Sequence, residues 1–234
     1  LVFEGHLPMD SLVSIIIPHW NGIDVLSECL DSLKQTVYPN FEIIVVDNAS
    51  TDGSGDWIKD HHPQIKLIKN DQNYGYSGGC NRGIHQADGD LVVFLNNDTV
   101  QDKYWLRNLV SFINSHPDCA AVQPKILNYY ERNRFDYAGG SGGQMDVLCY
   151  PFARGRIFLE QEIDSGQYDN DDRCFWASGT AIMVRKDYYM EAGQFDENFF
   201  AHMEEIDLCW KLQLMGYKVF VHPEAVVYHK NAVS

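Results

Sequence analysis

Leu91-Val92-Val93-Phe94-Leu95-Asn96-Asn97-Asp98-Thr99 decides how this chain is read. Five apolar residues in a row, rich in β-branched and aromatic types and too short for an ordinary helix, read as a strand buried on both faces, the pattern of parallel strands. The strand stops at three polar residues. In open α/β sheets ligands bind at the carboxyl ends of the strands, so Asn96, Asn97 and Asp98 stand where a ligand is met. A carboxylate beside two carboxamides can hold a hard cation through oxygen and leave positions open for phosphate oxygens. Taken alone, the trio is better read as a solvated turn, common after any strand.

The flanking sequence repeats the theme. Leu12 to Ile17 is a buried-strand pattern closed by Pro18, and the turn His19-Trp20-Asn21-Gly22 leads into an amphipathic helix from Asp24 to Lys34. Phe41 to Asp47 is a second strand ending in an acid. A turn-rich run, Asn48 to Ser54, opens a short helix around Trp57 and Ile58, and Ile65 to Ile68 is a weaker strand. The glycine-rich run Asn73 to Gly83 opens a helix reaching about Ala87, and it fits neither the dinucleotide nor the P-loop pattern. After the central strand come a helix from about Lys103 to Ser115 and a strand from Cys119 to Val122. Four strand–helix alternations argue for an α/β fold with a parallel, doubly wound sheet. His19, His61 and His62 read as loop residues.

Composition then shifts. Asn128 to Asp172, rich in Gly, Tyr, Asp and Arg, reads as a long irregular connection. Trp176 to Val184 resumes the strand pattern, Gly193 to Phe200 is a turn with aromatic anchors, and Glu204 to Met215 is a helix ended by Gly216. Two short strands, Tyr217 to Val221 and Ala225 to His229, are split by Pro223. Residues 1–11 lack periodicity and are set aside as a disordered leader or cloning scar.

The 234 residues are 45% hydrophobic and 22% charged, enough to bury a full core in one domain or two joined halves. The net charge of −15 disfavours nucleic acid and anionic surfaces, so any phosphate ligand needs a metal or backbone amides to offset repulsion. No apolar run approaches the roughly 18 residues of a membrane span, and a cytoplasmic location is the default expectation. The six cysteines are scattered without zinc spacing and read mainly as reduced core residues.

On the helix from Glu204, spacing puts Glu205, Cys209 and Leu212 on one face while Asp207 can pair with Lys211 one turn on. Glu205 is therefore the acid expected to point inward, in the first turn, where the dipole favours the ionised form a general base requires. An isolated Glu-Glu-x-Asp more often only stabilises a helix start. His229 could complete a metal site with Asp98 if their strands converge, and is otherwise a hydrogen-bonded strand-end residue. Asp47 could accept the ring N–H of a base or simply hold an Asx turn. Trp176 and Phe200 could wall a sugar pocket or merely fill core.

In this order the motifs resemble family 2 of the glycosyltransferases, of the GT-A fold, and within it the bacterial rhamnosyltransferase-like branch that builds surface polysaccharides. The matching pieces are Val13 to Gly22, Val45 to Ser54, Asn73-Tyr74-Gly75 through Asn81-Arg82-Gly83, Leu95 to Asp98, Ala177 to Thr180, Gly193 to Phe200, Glu204 to Trp210 and Val226 to His229. The resemblance implies a nucleotide-sugar-binding half over residues 12–123 and an acceptor-binding, catalytic-base half over 124–234. It implies that Pro18, Trp20, Asn21, Asp47, Asn73 and Asn81 hold the nucleotide and that Asp98, His229 and, weakly, Asn96 hold Mn²⁺ or Mg²⁺. Glu205 is then the catalytic base, and Trp176, Ser178 and Gly179 lie on the acceptor side. Inverting transfer from a dTDP or UDP sugar to a glycan or lipid-linked acceptor follows, with peripheral contact at the inner face of the membrane where the acceptor is membrane-bound.

Two departures qualify it. The family's Asp-x-Asp motif begins here with Asn96, and its Glu-Asp pair is Glu204-Glu205. The chain also ends soon after His229, where relatives often continue, as a truncated catalytic domain would. Asn96 motivates one rival reading, a non-catalytic nucleotide-sugar-binding scaffold. A sugar nucleotidyltransferase is another, since it would use a similar sheet and metal.

Overall fold

In the computed structural model, which describes residues 11–230, the apolar runs become the centre of a nine-stranded sheet. β1 (Val13–His19), α1 (Ile23–Leu33), β2 (Phe41–Asp47), α2 (Ser54–His61), β3 (Lys66–Lys69), α3 (Gly75–Ile84) and β4 (Leu91–Leu95) follow one another. The four strands pair in parallel in the order β3-β2-β1-β4. Successive strand side chains point to opposite faces, and both faces are covered. Val13, Ile15, Ile17, Val93 and Leu95 pack in one cluster with α1 and with α4 (Trp105–Ser115), which follows β5 (Thr99–Gln101). Ile16, Val92 and Phe94 pack on the other face, with Cys80 and Ile84 of α3.

The second half departs from simple alternation. After β6 (Cys119–Asn128) come two small hairpins, β7 (Gly143–Met145) with β8 (Pro151–Ala153) and β9 (Arg156–Ile157) with β10 (Glu160–Gln161). β11 (Asp172–Cys174), β12 (Ala181–Arg185), α5 (Lys186–Glu191), α6 (Glu204–Leu214) and β13 (Lys218–His229) complete the chain. β12 inserts antiparallel between β4 and β6, so the fourth predicted alternation does not join β6 to β4 directly. β13 lies parallel to β6, and β5 and β11 pair antiparallel to β13. The sheet is thus mostly parallel, with β1, β2, β3, β4, β6 and β13 running one way.

Several boundaries move for identifiable reasons. The strand predicted from Trp176 is only Ala181–Arg185, because the residues before it hydrogen-bond as a loop, with Ser178 N–H donating to Gln123 Oε1 at 2.7 Å. Pro223 does not split the last strand. It sits where the β13–β6 register shifts between His222 and Val226, an irregularity that removes the need for its missing N–H. Likewise Pro18 lies beyond the last β1–β4 pair, Ile16 with Phe94, so β1 runs on to His19. His19 is therefore a buried strand residue rather than a loop residue, and His62 is buried as well. Five of the six cysteines are free and buried, and Cys149 is free and exposed. No helix among the described residues is long and apolar enough to cross a membrane. Residues 1–10, most of the expected leader, lie outside the described residues.

The approach of α3 to the sheet depends on small residues. A Cβ on Gly83 would lie 2.4 Å from Ile16 Cγ2, in the middle of a packed face. Gly83→Ala is expected to destabilise the fold by about 1–3 kcal/mol through overpacking, read as a lower urea midpoint at unchanged m-value.

Candidate active site

A cavity of about 660 Å³ opens at the carboxyl ends of β1 and β4. Pro18, His19 and Trp20 line it from the end of β1, and Asn96, Asn97 and Asp98 from the end of β4. The loop Ser178 to Thr180, the start of α6 and the end of β13 supply Gly179, Glu204, Glu205 and His229. β12 makes this convergence possible, since its first residue, Ala181, pairs with Leu95 and Asn96 N–H donates to Thr180 O at 2.9 Å.

The strands predicted to converge do so at His229. Its Nε2 lies 3.1 Å from Asp98 Oδ1 and its Nδ1 3.2 Å from Asp136 Oδ1, with all three side chains buried. Burial works against an imidazolium, but the hydrogen bonds and charges of Asp136 and Asp98 outweigh it and push the pKa up to about 10. Among the described residues no group of three or more His, Cys, Asp and Glu side chains converges as a ready metal cluster. The donor set still suits a divalent ion. The 3.1 Å edge between Asp98 and His229 is close to the roughly 3 Å separation of neighbouring ligands around an octahedral ion with bonds of about 2.1 Å. Asp136 holds the far ring nitrogen, as outer carboxylates do for ligating histidines. Asn96 and Asn97 add carboxamide oxygens on the same wall, and a metal would bind in competition with the proton on His229.

The second cluster is acidic. His202 and Met203 both take positive φ, 71° and 75°, and this consecutive left-handed pair turns the chain into α6 so that Glu204 and Glu205 face the cavity. Each has an Oε2 that is buried without a hydrogen-bond partner among the described groups. Burial raises the pKa of both, and the charge of Glu205 raises Glu204 further. Backbone N–H groups at the helix start favour the charged forms of both acids, but burial outweighs them. The helical spacing singled out Glu205 as the inward acid. Glu204 proves the more deeply buried of the two, while Asp207 pairs with Lys211 at 2.6 Å as expected.

Other expected residues divide cleanly. Pro18, Trp20, Asn73, Trp176, Ser178, Gly179 and Phe200 line the cavity. Asn81 does not. It faces the 189–197 segment, where its Nδ2 donates to Phe195 O at 2.8 Å and its Oδ1 accepts from Tyr189 Oη at 2.6 Å, so it pins that turn. Asn21 and Asp47 also lie off the lining. Asn21 Oδ1 accepts from Thr51 N–H and Asp47 Oδ1 from Ser50 N–H, both at 2.8 Å, and together they shape the loop beside the cavity.

The sequence reading missed Asp136, Tyr137 and Arg156, which come from the stretch without periodicity, and it misplaced His19. Burial lowers the pKa of His19, and its Nδ1 accepts from Asn97 Nδ2 at 2.9 Å, which fixes the neutral tautomer with its proton on Nε2. That Nε2 is buried without a partner among the described groups, a donor available to a ligand.

The mostly parallel sheet covered by helices is the fold of the GT-A glycosyltransferases. A solved structure of GalNAc-T7 with UDP, GalNAc and Mn²⁺ superposes on 96% of this chain and 44% of that one, with a TM-score of 0.75 at 16% identity. The sequence profile of glycosyl transferase family 2 matches residues 14–189, and the chain belongs to that family. It is 30% identical over 228 residues to the O-antigen biosynthesis protein RfbC of Myxococcus xanthus, covering 95% of this chain and 17% of that protein. It is 26% identical over 224 residues to an N-acetylglucosaminyl-diphospho-decaprenol L-rhamnosyltransferase of Mycobacterium tuberculosis, covering 89% of this chain and 73% of that protein. The chain spans only 25% and 17% of the length of two of the curated relatives it matches.

The buried acid pair gives stability a defined pH dependence. Glu204 has a folded pKa raised above its unfolded value, so between the two the native state binds more protons and stability falls as pH rises. Glu204→Gln is expected to flatten this slope and to raise the apparent melting temperature at pH 8 relative to the parent, with little difference at pH 5, as thermal denaturation across pH will show.

Proposed function

We propose that this chain is an inverting glycosyltransferase that moves a sugar from a nucleoside-diphosphate donor to a hydroxyl acceptor in the synthesis of a bacterial polysaccharide or lipopolysaccharide. The observation that carries this reading is that the Asp98–His229 pair and the Glu204–Glu205 pair face one cavity. That arrangement offers a site for the diphosphate and a base for the acceptor in the same cleft.

In this reading the Glu205 carboxylate takes the proton of the acceptor hydroxyl as that oxygen forms a bond to the anomeric carbon. The bond from that carbon to the diphosphate oxygen breaks on the opposite side, so a single displacement inverts the configuration. Burial raises the pKa of both acids, and Glu205 is the one proposed to act in its ionised form. Asp98 and His229, with Asp136 behind the imidazole, would hold Mn²⁺ or Mg²⁺, which when bound neutralises charge on the departing nucleoside diphosphate. His19 Nε2 and Asn73 offer polar contacts on the nucleotide side, and Trp20, 56% exposed at the end of β1, offers a face for a base. Asp47, at the end of β2, shapes the loop beside the cavity through Ser50 N–H, and a UDP or dTDP donor is the class proposed here. Trp176, Ser178 and Gly179 stand on the acceptor side. The relatives named for O-antigen synthesis and for a decaprenol-linked substrate support the polysaccharide setting.

Glu205→Gln is expected to lower transfer by about 10²–10⁴-fold while UDP or dTDP in the presence of Mn²⁺ still raises the melting temperature as in the parent. Normal turnover by that variant removes Glu205 as the base. For the parent, kcat should fall as pH drops through the raised pKa of Glu205, because the base acts only when ionised. A pH–rate profile with its acid limb at the ordinary glutamate value would contradict this.

A further inference from the structure

Arg156 is the single Lys or Arg among the described residues that line the cavity, in a chain whose net charge is −15. Asp98, Glu204 and Glu205 line the same space, yet no carboxylate of the described residues lies within ion-pair distance of the guanidinium. Two other arginines of the same long connection behave differently. Arg134 pairs with Glu131 and Arg154 with Asp172, each at 2.7 Å.

Two anchors keep Arg156 apart from the acids around it. Its Nη1 donates to Phe158 O at 3.1 Å inside the β9–β10 hairpin, and its guanidinium carbon lies 4.0 Å from the centre of the Tyr137 ring. Stacked on one face and tied at one nitrogen, the planar fork has no protein acceptor for its other N–H groups among the described residues. The ring beneath it also sets the end of the cavity it serves. Tyr137 directly follows Asp136, whose Oδ1 lies 3.2 Å from His229 Nδ1, while His229 Nε2 lies 3.1 Å from Asp98 Oδ1. At that same end the first acid of the family's Asp-x-Asp motif is replaced by Asn96, a neutral carboxamide. A divalent ion is held less tightly as the charge of its ligands falls.

We propose that Arg156 is a second cation for the donor's diphosphate, its fork binding the β-phosphate so that the nucleoside diphosphate is held even without a divalent ion. The proposal rests on the transferase reading above and adds a residue at its leaving-group end. As the acceptor oxygen bonds to the anomeric carbon and its proton passes to Glu205, the electron pair of the breaking carbon–oxygen bond stays on the β-phosphate. That group gains one negative charge as it departs. A fixed guanidinium meets phosphate oxygens with two parallel N–H donors and needs no reorganisation at the moment of reaction. Arginine also keeps its charge across the working pH range, so this contribution is independent of the proton on His229.

Calorimetric titration in the presence of EDTA tests this without metal or turnover, using UDP and dTDP beside UMP and dTMP. The parent is expected to bind one of the two diphosphates about tenfold more tightly than its monophosphate. Arg156→Gln should erase that gain, leave monophosphate affinity as in the parent and leave the melting temperature unchanged. Arg156→Lys, which keeps the charge but loses the fork, should fall between the two. Parent protein that binds the diphosphate only with Mn²⁺ would overturn the proposal, as would an Arg156→Gln variant that binds like the parent. Equal loss of monophosphate and diphosphate affinity would overturn it too, since Arg156 would then shape the nucleoside pocket. If the parent binds neither diphosphate even with saturating Mn²⁺, the donor reading falls together with the proposal, whereas binding that requires Mn²⁺ removes the proposal alone.

Discussion

The site depends on where β12 enters the sheet. Had the chain continued its right-handed alternation, a parallel strand would lie beside β4 and its polar end would face only helices and loops. Instead β12 runs antiparallel from Ala181, opposite Leu95, and the loop preceding it meets Asn96 through the Thr180 carbonyl. One pairing thus brings the loop of Ser178 to Thr180 to the end of the central strand. It also spaces β6 and β13 so that His229 arrives over Asp98. A strand buried on both faces tolerates either direction of neighbour provided its ladder is filled, and β12 is buried along its whole length.

Charge is concentrated where that convergence leaves it. Asp98, Asp136 and His229 are buried together, and the imidazolium compensates the two carboxylates that surround it. Among the described residues Glu204 and Glu205 have no such cation in contact, and burial raises the pKa of both. In the proposed reading, one end of the cleft exchanges a proton for a metal and the other accepts a proton from a hydroxyl. The left-handed residues His202 and Met203 hold the acidic end in place. Such conformations cost of order 1–3 kcal/mol each and persist where the surrounding structure fixes them.

Much of this was legible in the linear chain, and for definite reasons. The strands from Val13, Phe41 and Leu91 announce themselves because a centre buried on both faces must be continuously apolar, and α1, α4 and α6 because their buried faces recur with helical period. Asp98 and His229 could be singled out as strand-end residues, and Glu205 by its place in the first turn of α6. Asn81 misled the reading because a polar residue in a glycine-rich helix start looks the same whether it meets a ligand or pins a neighbouring turn. Only the packing of the 189–197 segment against α3 distinguishes the two.

The sequence by itself determined which segments are buried, which end in polar groups and to which family the motifs point, since these follow from local period and residue chemistry. Tertiary structure alone decided the antiparallel entry of β12, the continuous β13 through Pro223, and the meeting of Asp136 with His229 across 93 residues of chain. It also decided that Arg156 and Tyr137 reach the cavity. Those outcomes depend on contacts between segments remote in sequence, and Asn128 to Asp172, which supplies three of the residues concerned, has no period from which its path could be read.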